Sequence, residues 1–195
     1  MNYHKEKLCL FFENSGKVNA ISAKEIAAVF DEKEVFKGGL FIKQGQVANE
    51  YLILDHGFMR AYSIDVDGNE VTTAFYNTAQ PIFEVASFFN RIPSRENIQA
   101  LTNCRGWVIS YEQLNTLFHS KPEFRDFGRW VLVRGFASLK TRMLSMITET
   151  AEERYVSLLE SNPEIFQHAS LKYIASYLGI TDSSLSRIRK EMSKK

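Results

Sequence analysis

The 195-residue sequence lacks several things whose absence narrows its function. It has no apolar run of roughly eighteen residues or more, so a membrane-spanning helix is not expected. Its start, MNYHKEKLCLFFENSGK, has neither a long apolar stretch nor a small-residue cleavage pattern, which argues against a signal peptide and leaves the cytoplasm as the expected location. There are two cysteines, Cys9 and Cys104, too few and too far apart for a disulfide scaffold or a cysteine-held cluster. The four histidines, His4, His56, His119 and His168, are scattered, whereas a catalytic metal site needs them clustered. No nucleophile-elbow or glycine-rich phosphate loop is present. An enzyme is therefore not expected, and no cofactor is implied; Cys9 with His4 is the one pair that a haem or iron–sulfur sensor could use.

Charge of one sign is also missing overall, since the net charge is only +1. Its distribution is uneven. From Ser170 onward six basic residues, Lys172, Arg187, Arg189, Lys190, Lys194 and Lys195, face two acidic ones, Asp182 and Glu191, so the remainder of the chain is mildly acidic. A basic end on an acidic body is the asymmetry of a polyanion-binding module, although a solvated terminal helix would look similar.

Residues 6–30 read as short helices, with Ser22-Ala23-Lys24-Glu25 at capping-box spacing. From Val35 to about Tyr111 the pattern becomes short β-rich runs broken by turns, including Asp67-Gly68, a hairpin signal. Such strands predict an antiparallel barrel or jelly roll, with a short helix between Pro81 and Asn90. Between 121 and 147 the pattern is helical. Leu132, Phe136, Leu139, Met143 and Met146 form one seam and Trp130, Val133, Ala137 and Leu144 another. Two apolar rows predict two partners: the barrel, and the same helix of a second subunit. Compact helices follow at 151–160, 171–178 and 182–192, with a domain boundary near 147–150.

The last two helices carry the sharpest pattern, "ASYLGITDSSLSRIRK". Ile174 and Leu178 share a face, Gly179 permits a sharp turn, and Thr181 can cap the next helix. Within that helix Leu185, Ile188 and Met192 share a face; at roughly 100° per residue Ser183, Arg187 and Lys190 fall opposite them. Small Ala175 lets the helices cross closely. A helix-turn-helix has this construction, and its second helix enters the DNA major groove.

The segment "IASYLGITDSSLSRIRK" resembles the winged helix-turn-helix of the Crp/Fnr family of bacterial transcription regulators. Upstream, "AEERYVSLLESNPEI" is similar to that family's first DNA-domain helix, and "GQVANEYLILDHGFMRAY…DGNE" to its cyclic-nucleotide-type β-roll. The resemblance implies an α+β fold in three parts. These are an N-terminal antiparallel, jelly-roll-like β-roll effector domain (1–120), a long dimerisation helix (121–147) and a helix-turn-helix domain (148–195). It implies base contacts from Asp182, Ser183 and Arg187, and phosphate contacts from Ser170, Lys172, Thr181 and Ser184, with Lys190 alongside. Many relatives carry an acidic residue where this chain has Ser183, so the preferred half-site is expected to differ. The wing after Met192 is expected to be short or absent.

The resemblance also locates an effector pocket at Phe83, Glu84, Val85, Ser94 and Arg95. Members that bind cyclic AMP carry Gly-Glu-Leu there and an arginine further on. Here Glu84 is retained, Phe83 stands at the glycine position and Ser94 at the arginine position. Arg95 lies one residue late, and in a strand that slip points a side chain to the other face. Phe83, Phe88 and Phe89 could fill the pocket or line a site for an apolar effector, and Arg91 and Arg95 are candidates for an anionic one. The expected partners are double-stranded DNA with a roughly palindromic operator, a second copy through the 121–147 helix, and RNA polymerase. Two alternatives stay open: a cyclic-nucleotide-responsive regulator using Glu84 and Arg95, and a ligand-binding or interaction module that binds no DNA.

Overall fold

The computed structural model describes residues 5–193, so His4, Lys194 and Lys195 lie outside the described residues. Two helices open the chain, α1 (Lys5–Asn14) and α2 (Ala20–Ala28). The cap of α2 is Asn19, whose side chain accepts from the Ile21 and Ser22 N–H groups. Ser22 sits inside the helix, which corrects the capping-box expectation: Asn19 meets the orphan N–H groups three residues earlier.

Eight strands follow: β1 (Asp31–Val35), β2 (Leu40–Ile42), β3 (Glu50–His56), β4 (Met59–Ile64), β5 (Glu70–Tyr76), β6 (Pro81–Ile82), β7 (Asn97–Ala100) and β8 (Cys104–Ser110). They form two four-stranded antiparallel sheets, ordered β1-β8-β3-β6 and β2-β7-β4-β5. The expected jelly-roll-like roll is present. The run Tyr51–Leu54 is buried on both faces of β3, because the roll interior lies on one side and α1 covers the other. On β4 the alternation is functional. Met59 and Ala61 enter the roll core, whereas Phe58, just before the strand, joins a second core built by the C-terminal helices. The turn into β4 depends on Gly57, at φ +105; a Cβ there would stand 2.6 Å from the Cys104 sulfur.

Between β6 and β7 lies α3 (Val85–Asn90), and after β8 come α4 (Tyr111–Ser120) and the 27-residue α5 (Pro122–Thr148). Only the first turns of α5 pack on the roll, through Phe124, Phe127, Trp130 and Val131. Beyond them Leu132, Val133, Phe136, Leu139, Met143, Leu144 and Ile147 are all exposed, Phe136 at 72%. The expectation that one apolar row covers the barrel is therefore corrected. At about 1.5 Å per residue α5 is about 40 Å long and outruns the roll after two or three turns.

The C-terminal head consists of α6 (Ala151–Ser161), α7 (Ile165–His168), α8 (Leu171–Leu178) and α9 (Asp182–Met192). Its core is Tyr155, Leu158, Ile165, Ile174, Ala175, Leu178, Leu185 and Ile188, completed by Phe58 of the roll. The head is docked on β4 and β5. Ser176 Oγ accepts from the Thr72 N–H at 3.1 Å, and the Phe75 and Tyr177 rings lie 5.1 Å apart. Arg60, 1% exposed, is sandwiched between the Tyr62 and Tyr173 rings while its guanidinium bonds Gln99 and pairs with Glu70.

Candidate nucleic-acid interface and effector pocket

The two apolar faces of α8 and α9 close on each other. Ile174 and Ala175 are fully buried, as is Leu185, with Ile188 at 8%. The chain reverses at Gly179, which takes φ +69 and caps α8 in the left-handed conformation. Thr181 Oγ1 then accepts from the Ser184 N–H and caps α9. These contacts settle which way α9 faces: with Leu185 and Ile188 inward, Asp182, Ser183, Arg187 and Lys190 are exposed. Among the described residues none of Lys172, Arg187, Arg189 and Lys190 forms an ion pair; the six pairs present lie elsewhere. Four unneutralised cations in so small a head leave a positive local field.

The polar residues divide by use. Ser170 caps α8, accepting from the Tyr173 N–H, and Thr181 and Ser184 are joined at the start of α9, but all three lie at helix N-termini where backbone N–H groups also emerge. Residues that the sequence reading did not single out hold the turn. Arg154 on α6 donates to the Leu178 carbonyl at 3.0 and 3.2 Å and to the Glu149 carbonyl at 2.6 Å. Arg142 on α5 donates to the Tyr177 carbonyl at 2.9 Å and covers the Tyr177 ring. These arginines satisfy two of the carbonyls left free at the C-terminus of α8, where positive charge is favoured. No local pattern announces them, because their targets are 24 and 35 residues away.

The effector region is built differently. Phe83 stacks on Tyr51 with ring centroids 4.9 Å apart and meets Phe88 and Phe89 edge-on, so the aromatic cluster fills the roll. Glu84 caps α3: its two carboxylate oxygens accept from the Ala86 N–H at 3.1 Å and the Ser87 N–H at 2.7 Å. The backbone donors at this helix start are thus already engaged by an anion of the chain itself. Val85 points outward at 52% exposure. Ser94 is buried and its hydroxyl closes a local turn, donating to the Glu96 carbonyl at 2.7 Å and accepting from the Glu96 N–H. Arg95 is exposed, as the one-residue slip predicts. Arg91 is spent internally, donating to the Ala48 carbonyl at 2.7 Å and to Asn49 and covering the Tyr111 ring. The five residues assigned to the pocket therefore do not converge. Burial, reinforced by nearby Glu84, pushes the Glu96 carboxyl up, so the region disfavours added negative charge.

Among the described residues no group of three or more His, Cys, Asp or Glu could hold a metal ion. Cys9 and Cys104 are free and buried, and burial raises both thiols.

With this geometry the class of the roll is defined: residues 32–121 match the cyclic nucleotide-binding domain family. The chain as a whole has the fold of Crp/Fnr-type regulators. It is similar to FixK2 from Bradyrhizobium japonicum, with TM-score 0.73 and 18% identity over 85% of both chains. It is similar to the c-di-GMP-responsive global regulator CLP of Xanthomonas campestris, with TM-score 0.72 and 16% identity over 90% of this chain and 92% of that one. A transcriptional regulator of the crp/fnr family from Eubacterium rectale gives TM-score 0.73 and 17% identity over 94% and 87%. No curated protein sequence matches the chain.

Proposed function

We propose that the chain is a homodimeric, DNA-binding transcription regulator of the Crp/Fnr type whose nucleotide pocket is degenerate. The observation that carries this reading is the outward face of α9, where Ser183, Arg187 and Lys190 are exposed and unpaired while Leu185 and Ile188 anchor the helix from beneath. Arg187, with Asp182 and Ser183, reads base edges, and an arginine there can bond a guanine through two hydrogen bonds. Ser170, Lys172, Thr181, Ser184 and Lys190 hold phosphates and set the register.

In this reading the roll (1–120), the connecting helix (121–147) and the head (148–195) are the three working parts. The exposed apolar rows of α5, from Leu132 to Ile147, pair with the same helix of a second copy, since a helix so apolar on its open surface is unstable in water. Two-fold symmetry then demands a roughly palindromic operator with half-sites about 34 Å apart. The regulator works in the cytoplasm, where DNA and RNA polymerase are present. Its phosphate-binding donors are occupied by Glu84, so a cyclic nucleotide is not its effector; binding through Glu84 and Arg95 would require the first to leave α3 and the second to turn inward.

The test is operator selection from random DNA followed by Arg187→Ala. The variant is expected to lose about 1–3 kcal/mol and relax preference at one base pair per half-site. Retention of full sequence preference in that variant would refute the groove assignment.

A further inference from the structure

A second cavity lies far from α3, between α1 and the outer face of the sheet that holds β3 and β8. It measures about 250 Å³, slightly below the ~300–1,000 Å³ of drug-sized sites, and so suits a small metabolite. None of Phe83, Glu84, Val85, Ser94 or Arg95 lines it. Phe11, Leu54 and Trp107 give it apolar and aromatic walls. Trp107 is 4% exposed, and among the described residues no acceptor meets its indole N–H, which is unusual for a buried tryptophan. At the rim sits Asp55, whose side chain is 7% exposed and whose two oxygens accept from Lys7 Nζ and Arg105 Nη2, each at 3.0 Å. Burial alone would raise the Asp55 carboxyl, but the hydrogen bonds and charges of Lys7 and Arg105 outweigh it and hold it ionised.

Two cations on one carboxylate leave one positive charge uncompensated, and both cations keep spare donors, Lys7 at 69% and Arg105 at 42% side-chain exposure. The exposed Thr78 hydroxyl adds another donor. A neutral apolar ligand would leave these donors unmet, and a cation would be repelled. We infer that this cavity binds a small amphipathic monocarboxylate, its apolar body against Phe11, Leu54 and Trp107 and its carboxylate held by Lys7, Arg105 and the Trp107 N–H.

The site is coupled to the head through the backbone. Asp55 is three residues before Phe58, whose ring completes the core around Ile174 and Leu185, and the intervening Gly57 is packed so tightly on Cys104 that the turn cannot flex independently. What the ligand controls rests on the regulatory reading proposed above; whether it binds does not.

The test is a titration of the full ¹⁵N-labelled chain with phenylacetate and with hexanoate, to roughly 10 mM so that even weak binding registers. The chain has two tryptophans, so its indole region carries two signals, and Trp107→Phe assigns the relevant one. A saturable shift of the Trp107 signal, with Trp130 little moved and benzylamine without effect, is expected. Lys7→Gln combined with Arg105→Gln should weaken the response at least tenfold. Asp55→Asn, which keeps the shape and frees both cations, should strengthen it several-fold. A shift that does not saturate, that benzylamine reproduces, or that Asp55→Asn weakens would overturn the assignment. A saturable shift in a protein that binds no DNA would uphold the pocket and sink the regulatory reading alone.

Discussion

The turn into α9 and the turn into α3 begin alike and end differently. Both helices start with a side chain that accepts from backbone N–H groups, Thr181 in one and Glu84 in the other. After Thr181 the polar residues point into solvent with donors unspent, and the apolar ones hold the helix down. After Glu84 the polar groups turn back on the chain: the carboxylate fills the helix start, Ser94 closes its own turn and Arg91 is spent on Ala48 and Asn49. A recognition site keeps its hydrogen-bonding capacity for a partner; a site converted to structure satisfies it internally, because a buried unmet polar group costs about 1–3 kcal/mol.

Several changes would break or sharpen this contrast. Leu185→Ala should have the largest effect, because the residue is fully buried in the head; a loss of about 2–5 kcal/mol is expected in denaturant unfolding, together with loss of DNA binding. If stability barely changed, α9 would not be anchored as described. Glu84→Ala should cost about 1 kcal/mol, the worth of a helix cap, whereas Arg187→Ala should change folding stability by less than about 0.5 kcal/mol. Equal costs in the two variants would erase the distinction between spent and unspent groups. Lys190→Ala should weaken binding to all DNA sequences similarly and reduce the slope of log affinity against log salt by about 1.

The smallest effect concerns pH. Glu96 has its carboxyl raised by burial and by Glu84, so its charged form is disfavoured in the folded state. Its ionisation therefore lowers stability as pH rises above the ordinary glutamate value of 4.5, and the penalty is absent below it. Glu96→Gln should raise the melting temperature at pH 7 and give a diminishing gain as pH falls toward 4.5. A gain that grew on acidification would reverse the sign of this argument.

Much of the head was legible because its signals are local. The glycine at 179, the cap at 181 and the spacing of Leu185 and Ile188 all act within a turn or two of helix, and α8 and α9 occupy the expected ranges. The slip of Arg95 was legible for the same reason, since strand alternation is a two-residue rule. Other features were not. The short helix α7 has only four residues and no side-chain cap to announce it. The bracing of the turn by Arg142 and Arg154 is set by helices that meet only after folding. Arg60 reads in sequence as one charged residue in an apolar strand, and its burial between Tyr62 and Tyr173 needs the docked head.

By itself the sequence determined the order and type of the elements, the roll followed by a long helix and a helix-turn-helix, because hydrophobic period, turn glycines and caps are written over a few residues each. Tertiary structure alone decided that α5 stands clear of the roll, that Phe58 is lent to the head, and that Glu84 occupies the start of α3. Those outcomes depend on which surfaces meet across dozens of residues, and packing and electrostatic satisfaction over such separations leave no local mark.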